Sequence, residues 1–309
     1  VTAPALAVHG GAWDIPPAER AAHAAGCRAA LEAGAAALAA GGSALDAVVA
    51  ATVSMEASGI FDAGRGSVLN AEGAVENDAG LMDGDSLRVG AVAAMPRTAH
   101  PIRVARLLLD EPELAFMVGE GAVRWAADRG ILPCAAADLV HPREAARYAE
   151  LRRVRATVRS AFAGRDDAAD QRSAAPRGTV GAVARDAGGR LAAACSTGGT
   201  PFKPPGRVGD TPVVGSGFFA DALFGAAACT GFGETILRVQ LARLACERIV
   251  PAGSADAAAL EALGALRARA AGLGGLVVLG PHGRPAARWN TPTMAYGFWT
   301  PEGVHSDCP

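Results

Sequence analysis

Gly178-Thr179-Val180-Gly181-Ala182-Val183-Ala184, then Asp186-Ala187-Gly188-Gly189, then Leu191-Ala192-Ala193-Ala194-Cys195-Ser196-Thr197: on this stretch the reading of the fold turns. Two runs of small apolar residues flank an Asp/Gly cluster, which is the pattern of two strands joined by a tight turn. The preceding segment, 163–178, is Ala-Gly-Arg-Asp-Asp-Ala-Ala-Asp-Gln-Arg-Ser-Ala-Ala-Pro-Arg-Gly. It is polar, holds Pro and Gly, lacks apolar periodicity, and is expected to be a mobile loop. A linker running into Gly-Thr at the mouth of a buried strand is chemically suggestive. A threonine hydroxyl is a poor nucleophile without a base beside it, but cutting the bond before Thr179 would free an α-amine on the same residue. Such an amine titrates at roughly 7.7–8.0 and is partly neutral near physiological pH. Gly178, lacking a Cβ, permits the strained geometry that attack on its own carbonyl requires. Gly-Thr also begins many ordinary strands, so the pair decides nothing alone.

Outward from this hairpin, Ala5–Val8 reads as a short buried strand entering His9-Gly10-Gly11-Ala12-Trp13. Helices are expected over 17–41 and 43–57, the second opened by a capping box of Ser43 and Asp46. Residues 67–97 suggest hairpins, and helical patterns return over 101–110, 119–129 and 142–162. Past the hairpin, strands are expected at 212–218, 225–230, 274–279 and 293–299, with helices at 234–249 and 254–271. Strands and long helices in blocks imply a layered protein with mainly antiparallel sheets, not an alternating parallel one.

The 309 residues, half of them hydrophobic, suffice for a large core in one large domain or two ordinary ones. A net charge of −2 gives no electrostatic case for nucleic acid or an anionic membrane, and no apolar run is long enough to span a bilayer. The Arg152, Arg153, Arg155 cluster reads as a solvated helix face. Six cysteines form no C-x-x-C pair, which argues against a structural metal or a disulfide framework and for a reducing, cytoplasmic setting. No signal-peptide layout is seen at the N-terminus.

Further motifs follow the hairpin in order: Ser196-Thr197-Gly198-Gly199, Lys203, Gly206-Arg207-Val208-Gly209-Asp210, Val214-Gly215-Ser216-Gly217, and Cys229-Thr230-Gly231-Phe232-Gly233-Glu234. Upstream stand His9-Gly10-Gly11-Ala12, Ala44-Leu45-Asp46-Ala47-Val48, Phe61-Asp62-Ala63-Gly64, Gly66-Ser67-Val68-Leu69 and Met82-Asp83-Gly84. This order and spacing resembles the plant-type asparaginase/isoaspartyl peptidase family of N-terminal-nucleophile hydrolases, over nearly the whole chain. The resemblance is weakest over 130–178 and the last ~40 residues, where loops and termini vary most.

The resemblance implies an α+β fold, an αββα four-layer sandwich, in a single domain of residues 1–309. It implies self-cleavage at Gly178–Thr179 into an α chain (1–178) and a β chain (179–309). Thr179 would then attack the side-chain amide of asparagine or the isopeptide carbonyl of a β-aspartyl dipeptide. Thr197 would orient the nucleophile, and Thr230 with the Gly231 N–H would form the oxyanion hole. Arg207 would pair with the substrate's α-carboxylate and Asp210 with its α-ammonium, while Gly231 and Gly233 let backbone approach the ligand. No cofactor is implied for the chemistry. A structural sodium ion is implied on backbone carbonyls of the loop Met55–Arg65, namely those of Met55, Glu56, Ser58, Phe61, Ala63 and Arg65. A homodimer of processed αβ units is implied as well.

Each role has a plainer competitor: Arg207 and Asp210 could pair with one another on the surface, and Thr197 and Thr230 could be ordinary strand residues. His9 is read as structural, Cys195 and Cys229 as packing residues. Two departures from the family pattern stand out. Asp62 occupies a position close to the nucleophile where the family usually has asparagine, losing an N–H donor and adding charge. Trp13 stands where small residues are common. Glycosylasparaginase and the threonine endopeptidase that cuts after aspartate are alternative relatives. An uncleaved, inactive homologue acting as a binding protein is the non-enzyme alternative.

Overall fold

Alternation along the strands generates the architecture. The computed structural model describes residues 3–154 and 178–309, so all but the last residue of the loop expected over 163–178 and the C-terminal part of the helix expected over 142–162 lie outside it. Strands β1 (Ala5–Trp13), β2 (Asn77–Asp83), β3 (Val89–Met95), β4 (Phe116–Val118), β5 (Val180–Arg185) and β6 (Leu191–Thr197) join β11 (Thr293–Thr300) and β12 (Gly303–Asp307) in one sheet. Its order is β12-β11-β1-β5-β6-β2-β3-β4, antiparallel except at the β3–β4 edge. A second sheet, β10-β9-β8-β7, contains β7 (Phe218–Asp221), β8 (Gly225–Gly231), β9 (Gly274–Leu279) and β10 (Ala286–Trp289).

Successive side chains of a strand face opposite ways. Leu6, Val8, Val180, Ala182, Ala192 and Ala194 therefore pack outward under α1 (Pro17–Ala39), α2 (Ala44–Ala57) and α3 (Pro101–Asp110). Their neighbours Ala5, Ala7, Val183, Ala193 and Cys195 face inward against Ala226, Ala228, Val277 and Leu279 of the second sheet. On the far side of that sheet Ala227, Cys229, Leu276 and Val278 meet the helices of the C-terminal half. These are α7 (Gly233–Val239), α8 (Leu241–Ala252) and α9 (Ala255–Ala270); α4 (Gly119–Ala127), α5 (Ala136–Leu139) and α6 (Pro142–Arg153) complete the N-terminal half. Helix, sheet, sheet, helix is the four-layer sandwich that the resemblance implies. The preponderance of Ala and Gly on the inner faces is what lets two sheets pack closely.

Several local expectations hold. Ser43 and Asp46 form a reciprocal capping box at the start of α2, and α3 has the expected limits. Others are corrected. The apolar run expected as a strand at 212–218 is a turn, with β7 beginning at Phe218. The helix expected over 234–249 is two helices, broken at Gln240 with φ +53°. The first strand runs on through His9–Trp13, with a bulge between His9 and Ala12.

Candidate active site

The β5–β6 hairpin pairs Val180 with Ser196, so Thr179 and Thr197 stand across from one another just beyond that pair. Thr230, near the end of β8, comes from the facing sheet. The bulge in β1 links the two: the Ala12 N–H donates to Thr230 Oγ1 at 3.3 Å. It also brings Gly11 (φ +102°) onto the backbone of Gly178, where a Cβ on Gly11 would lie 2.5 Å from Gly178 Cα. The His-Gly-Gly stretch thus seats the bond before Thr179. Gly231 has φ +145°, a region closed to side chains, and a Cβ there would sit 2.5 Å from the Leu273 carbonyl oxygen. The predicted Thr179, Thr197, Thr230, Gly231 and Gly178 are therefore gathered at one end of the sandwich.

Thr179 is buried, and its Oγ1 lies 3.5 Å from Thr211 Oγ1. Thr197 Oγ1 instead accepts the Gly199 N–H at 3.0 Å. His9 faces Gly181 across the sheet, fully buried; burial pushes its imidazole pKa down to about 3, with an opposing pull from the Thr179 backbone. A ring that stays neutral at working pH suits the structural reading. Burial also raises the thiols of Cys195 and Cys229 far above the ordinary range, consistent with packing roles.

Asp210 is not the surface partner of Arg207. It is buried, and its Oδ2 has no hydrogen-bond partner among the described residues. Burial pushes its pKa up to about 7, against the attraction of Arg207 and with repulsion from Glu234. Arg207 directs Nε and Nη2 to Glu234 Oε1, at 2.9 and 2.7 Å. Gly233 abuts Asp210: a Cβ on it would meet Asp210 Oδ1 at 2.9 Å. An unmatched buried acid beside a guanidinium has the chemistry to receive a molecule carrying both an ammonium and a carboxylate. Glu234 and Thr211, which the sequence reading does not single out, lie against Arg207 and Thr179. Glu234 stands within a quoted motif, but neither residue has a local pattern that marks it.

Asp62 is fully buried, with Oδ1 accepting the N–H groups of Val68 (2.9 Å) and Gly198 (3.2 Å). It is thereby tied to the residue after Thr197. Burial pushes its pKa up to about 7, so much of the charge expected at this position is lost near neutral pH. Lys203, fully buried, donates to the Glu76 carbonyl at 3.0 Å and lies 4.0 Å from Asp78, bracing the loop that carries Arg207.

The loop expected to hold sodium curls through Gly59 (φ +68°), Gly64 (φ +54°) and Gly66 (φ +119°). Glu56 turns its carboxylate away, to Ser196 Oγ (2.7 Å), the Ile102 N–H (3.1 Å) and His100 Nδ1 (3.3 Å). The Glu56 carbonyl accepts the Arg65 N–H and keeps a second lone pair, whereas the Met55 carbonyl accepts both the N–H and, at 2.8 Å, the Oγ–H of Ser58. A tightly curled run of carbonyls is a donor set that fits a hard monovalent cation. Among the described residues no cluster of His, Cys, Asp and Glu could hold a metal, and no helix is long and apolar enough to cross a membrane.

Residues 2–306 match the family model described as Asparaginase. The chain is 40% identical over 246 residues to the isoaspartyl peptidase/L-asparaginase of Bos taurus, covering 80% of this chain and 76% of that protein. It is 38% identical over 302 residues to the protein of that name from Xenopus laevis, covering 98% of this chain and 94% of its relative. The Danio rerio protein of that name is 39% identical over 293 residues, covering 95% and 91%. The chain thus belongs to the asparaginase family of amide-bond hydrolases that its hairpin, its facing sheets and its threonine-lined end foreshadow.

Proposed function

We propose that this protein is a threonine amidohydrolase, activated by cutting its own chain at Gly178–Thr179, that hydrolyses L-asparagine and β-aspartyl dipeptides. The observation that carries the reading is the convergence of Thr179, Thr197 and Thr230 where the ends of β5, β6 and β8 meet. In activation, Thr179 Oγ1 attacks the Gly178 carbonyl, the acyl group moves from nitrogen to oxygen, and water hydrolyses the ester. Gly178 leaves as a carboxylate and Thr179 keeps a free α-amine.

In turnover that amine takes the hydroxyl proton as Oγ1 attacks the substrate carbonyl carbon. Thr230 and the Gly231 N–H face the developing oxyanion; removing one such donor costs roughly 10²–10³ in rate. The intermediate collapses to an ester on Oγ1 as the α-ammonium returns its proton to the leaving amine. Water, deprotonated by the same α-amine, then releases aspartate. Arg207 reads the substrate's α-carboxylate and Asp210 its α-ammonium, so a free amino-acid head is required and internal asparagines are poor substrates.

The carbonyls of Glu56, Ser58, Phe61, Ala63 and Arg65 would hold a sodium ion that stiffens the loop bearing Asp62, the Met55 carbonyl expected in this set being engaged by Ser58 instead. The thiols of all six cysteines are free, which supports a cytoplasmic setting. The processed units pair as a homodimer, which light scattering on the purified protein would test. The proposal as a whole is tested by intact mass after incubation at neutral pH, alongside assays with asparagine and β-aspartyl dipeptides. Two fragments meeting at Gly178/Thr179, with both events lost in Thr179→Ala, are expected. A persistently intact chain that still hydrolyses asparagine would refute the mechanism.

A further inference from the structure

Thr179 has a single side-chain hydrogen-bond partner among the described residues, and it is not Thr197. Its Oγ1 meets Thr211 Oγ1 at 3.5 Å, while the Thr197 oxygen is turned to the Gly199 N–H at 3.0 Å. The 3.5 Å separation is long for a hydroxyl pair, as such contacts often are before a ligand closes the site.

Thr211 is 1% exposed and sits on a turn with little freedom to move. The Asp210 carbonyl accepts the N–H groups of Val213 (2.9 Å) and Gly217 (3.1 Å). The Gly217 carbonyl in turn accepts the Cys229 N–H at 2.7 Å, fastening the turn to β8 immediately before Thr230. One short segment thus carries the acid that faces the substrate head, a hydroxyl facing the reacting oxygen, and the anchor of the next strand. A β-branched nucleophile has few rotamers, and a partner on a rigid turn selects among them.

We infer that Thr211 is the positioning residue that holds the Thr179 hydroxyl in its attacking orientation, a task that the family resemblance would give to Thr197. This rests on Thr179 being the nucleophile. By this account Thr211 makes no bond to substrate; its hydroxyl fixes where Oγ1 points, both for the cut at Gly178 and for turnover. Because it adjoins Asp210, the turn sets the distance between the ammonium reader and the nucleophile.

The test separates hydroxyl from shape. Thr211→Val keeps the branched outline and drops the oxygen; Thr211→Ser keeps the oxygen and drops the methyl. Intact-mass kinetics of self-cleavage, then kcat and KM for asparagine, are measured on both, on Thr211→Ala and Thr197→Val, and on the wild type. Thr211→Val is expected to slow cleavage and kcat roughly 10–100-fold with KM held, since small misplacements of a reacting group cost this much. Thr211→Ser is expected to stay within about threefold of wild type, and Thr197→Val to slow kcat less than Thr211→Val does. An active Thr211→Val beside an impaired Thr211→Ser would overturn the inference, leaving Thr211 a packing residue. If Thr211→Val does not fold, Thr211→Ala decides: activity equal to that of Thr211→Ser refutes the role of the hydroxyl. A wild type that neither cleaves nor hydrolyses would remove the proposed function and this inference with it. An active wild type with an equally active Thr211→Val removes only the inference.

Discussion

The two ends of the β5–β6 hairpin each have a buried aspartate with an arginine near it, and the two aspartates are treated oppositely. At the closed end, Asp186 is saturated. Its Oδ1 accepts the N–H groups of Gly188 (2.9 Å) and Arg190 (3.1 Å), and its Oδ2 accepts Arg190 Nε (2.8 Å) and the Ala44 N–H (3.2 Å). Beside the open end, Asp210 keeps an oxygen without a partner among the described residues, and the neighbouring Arg207 is committed to Glu234. A saturated buried carboxylate ties elements together, here the turn and the start of α2. An unsaturated one costs stability and persists where a ligand completes it. On the proposed function, the difference is one between a structural acid and a binding acid.

Removing Asp210 should break the comparison most sharply. Asp210→Asn is expected to lower kcat/KM for asparagine by about 10³-fold or more, a loss on the scale of an uncompensated buried charge pair. The same change should stabilise the fold above neutral pH. The folded-state pKa of about 7 lies above the ordinary 3.8, so the native state holds a proton that the unfolded chain has released. Stability from this group is full below about pH 4 and is lost as pH rises towards 7. At pH 8 the asparagine variant regains at most about 4 kcal/mol, three pKa units at roughly 1.4 kcal/mol each. Thermal melts at pH 4 and pH 8 check this: a higher Tm at pH 8 and none at pH 4 is the expected pattern.

The mirror experiment acts on Asp186. Asp186→Ala leaves the N–H groups of Ala44, Gly188 and Arg190 without their acceptor, and is expected to cost about 2–4 kcal/mol of stability. Its KM for asparagine should stay within a factor of two of the parent. Denaturant titration and initial rates on one preparation give both readings. A large rise in KM would mean that the closed end of the hairpin is coupled to the site, and the contrast would fail.

A pH series sharpens the comparison further. Asp210 must be ionised to receive an ammonium group, so KM for asparagine should rise about tenfold per unit as pH falls below about 7. In Asp210→Asn the KM should be high and flat across the same range. The acid limb in kcat belongs to the Thr179 α-amine instead and should survive the substitution.

These contrasts also mark where a sequence stops being informative. The hairpin itself, the Ser43–Asp46 cap and the limits of α3 are local matters of turn residues, spacing and a leading proline, and they could be read directly. The turn over 211–217 could not. Val213 and Val214 look like strand residues, but Gly215 takes φ +84° and the Asp210 carbonyl draws the chain back on itself. The break at Gln240 has no glycine or proline to announce it. It arises because the carbonyls of Ser216 and Gly215 capture the N–H groups of Ala242 and Arg243, starting α8 afresh. Strand β12 is short, lies at the sheet edge and alternates in exposure, so it lacks a buried run to betray it. The site follows the same division. Thr179, Thr197, Thr230, Arg207 and Asp210 stand in motifs, whereas Thr211 acquires its place beside Thr179, and Glu234 its pairing with Arg207, from contacts between distant segments.

The smallest expected effect concerns the arginine at the closed end. Arg190 is half exposed and donates its Nε to Asp186 at 2.8 Å, a pair that resembles the partly buried one between Arg207 and Glu234 only on paper. Exposed pairs of this kind contribute under ~1 kcal/mol, because solvent screens the attraction and ordering the side chain offsets much of the rest. Arg190→Ala should therefore shift the denaturation midpoint slightly and the kinetics not at all, since three backbone N–H groups still hold Asp186. A loss as large as that of Asp186→Ala would mean that the arginine, not the backbone, is what saturates the acid. The closed end would then rely on the same kind of ion pair as the open end, and the contrast between an aspartate saturated by backbone and an unmatched one would fail.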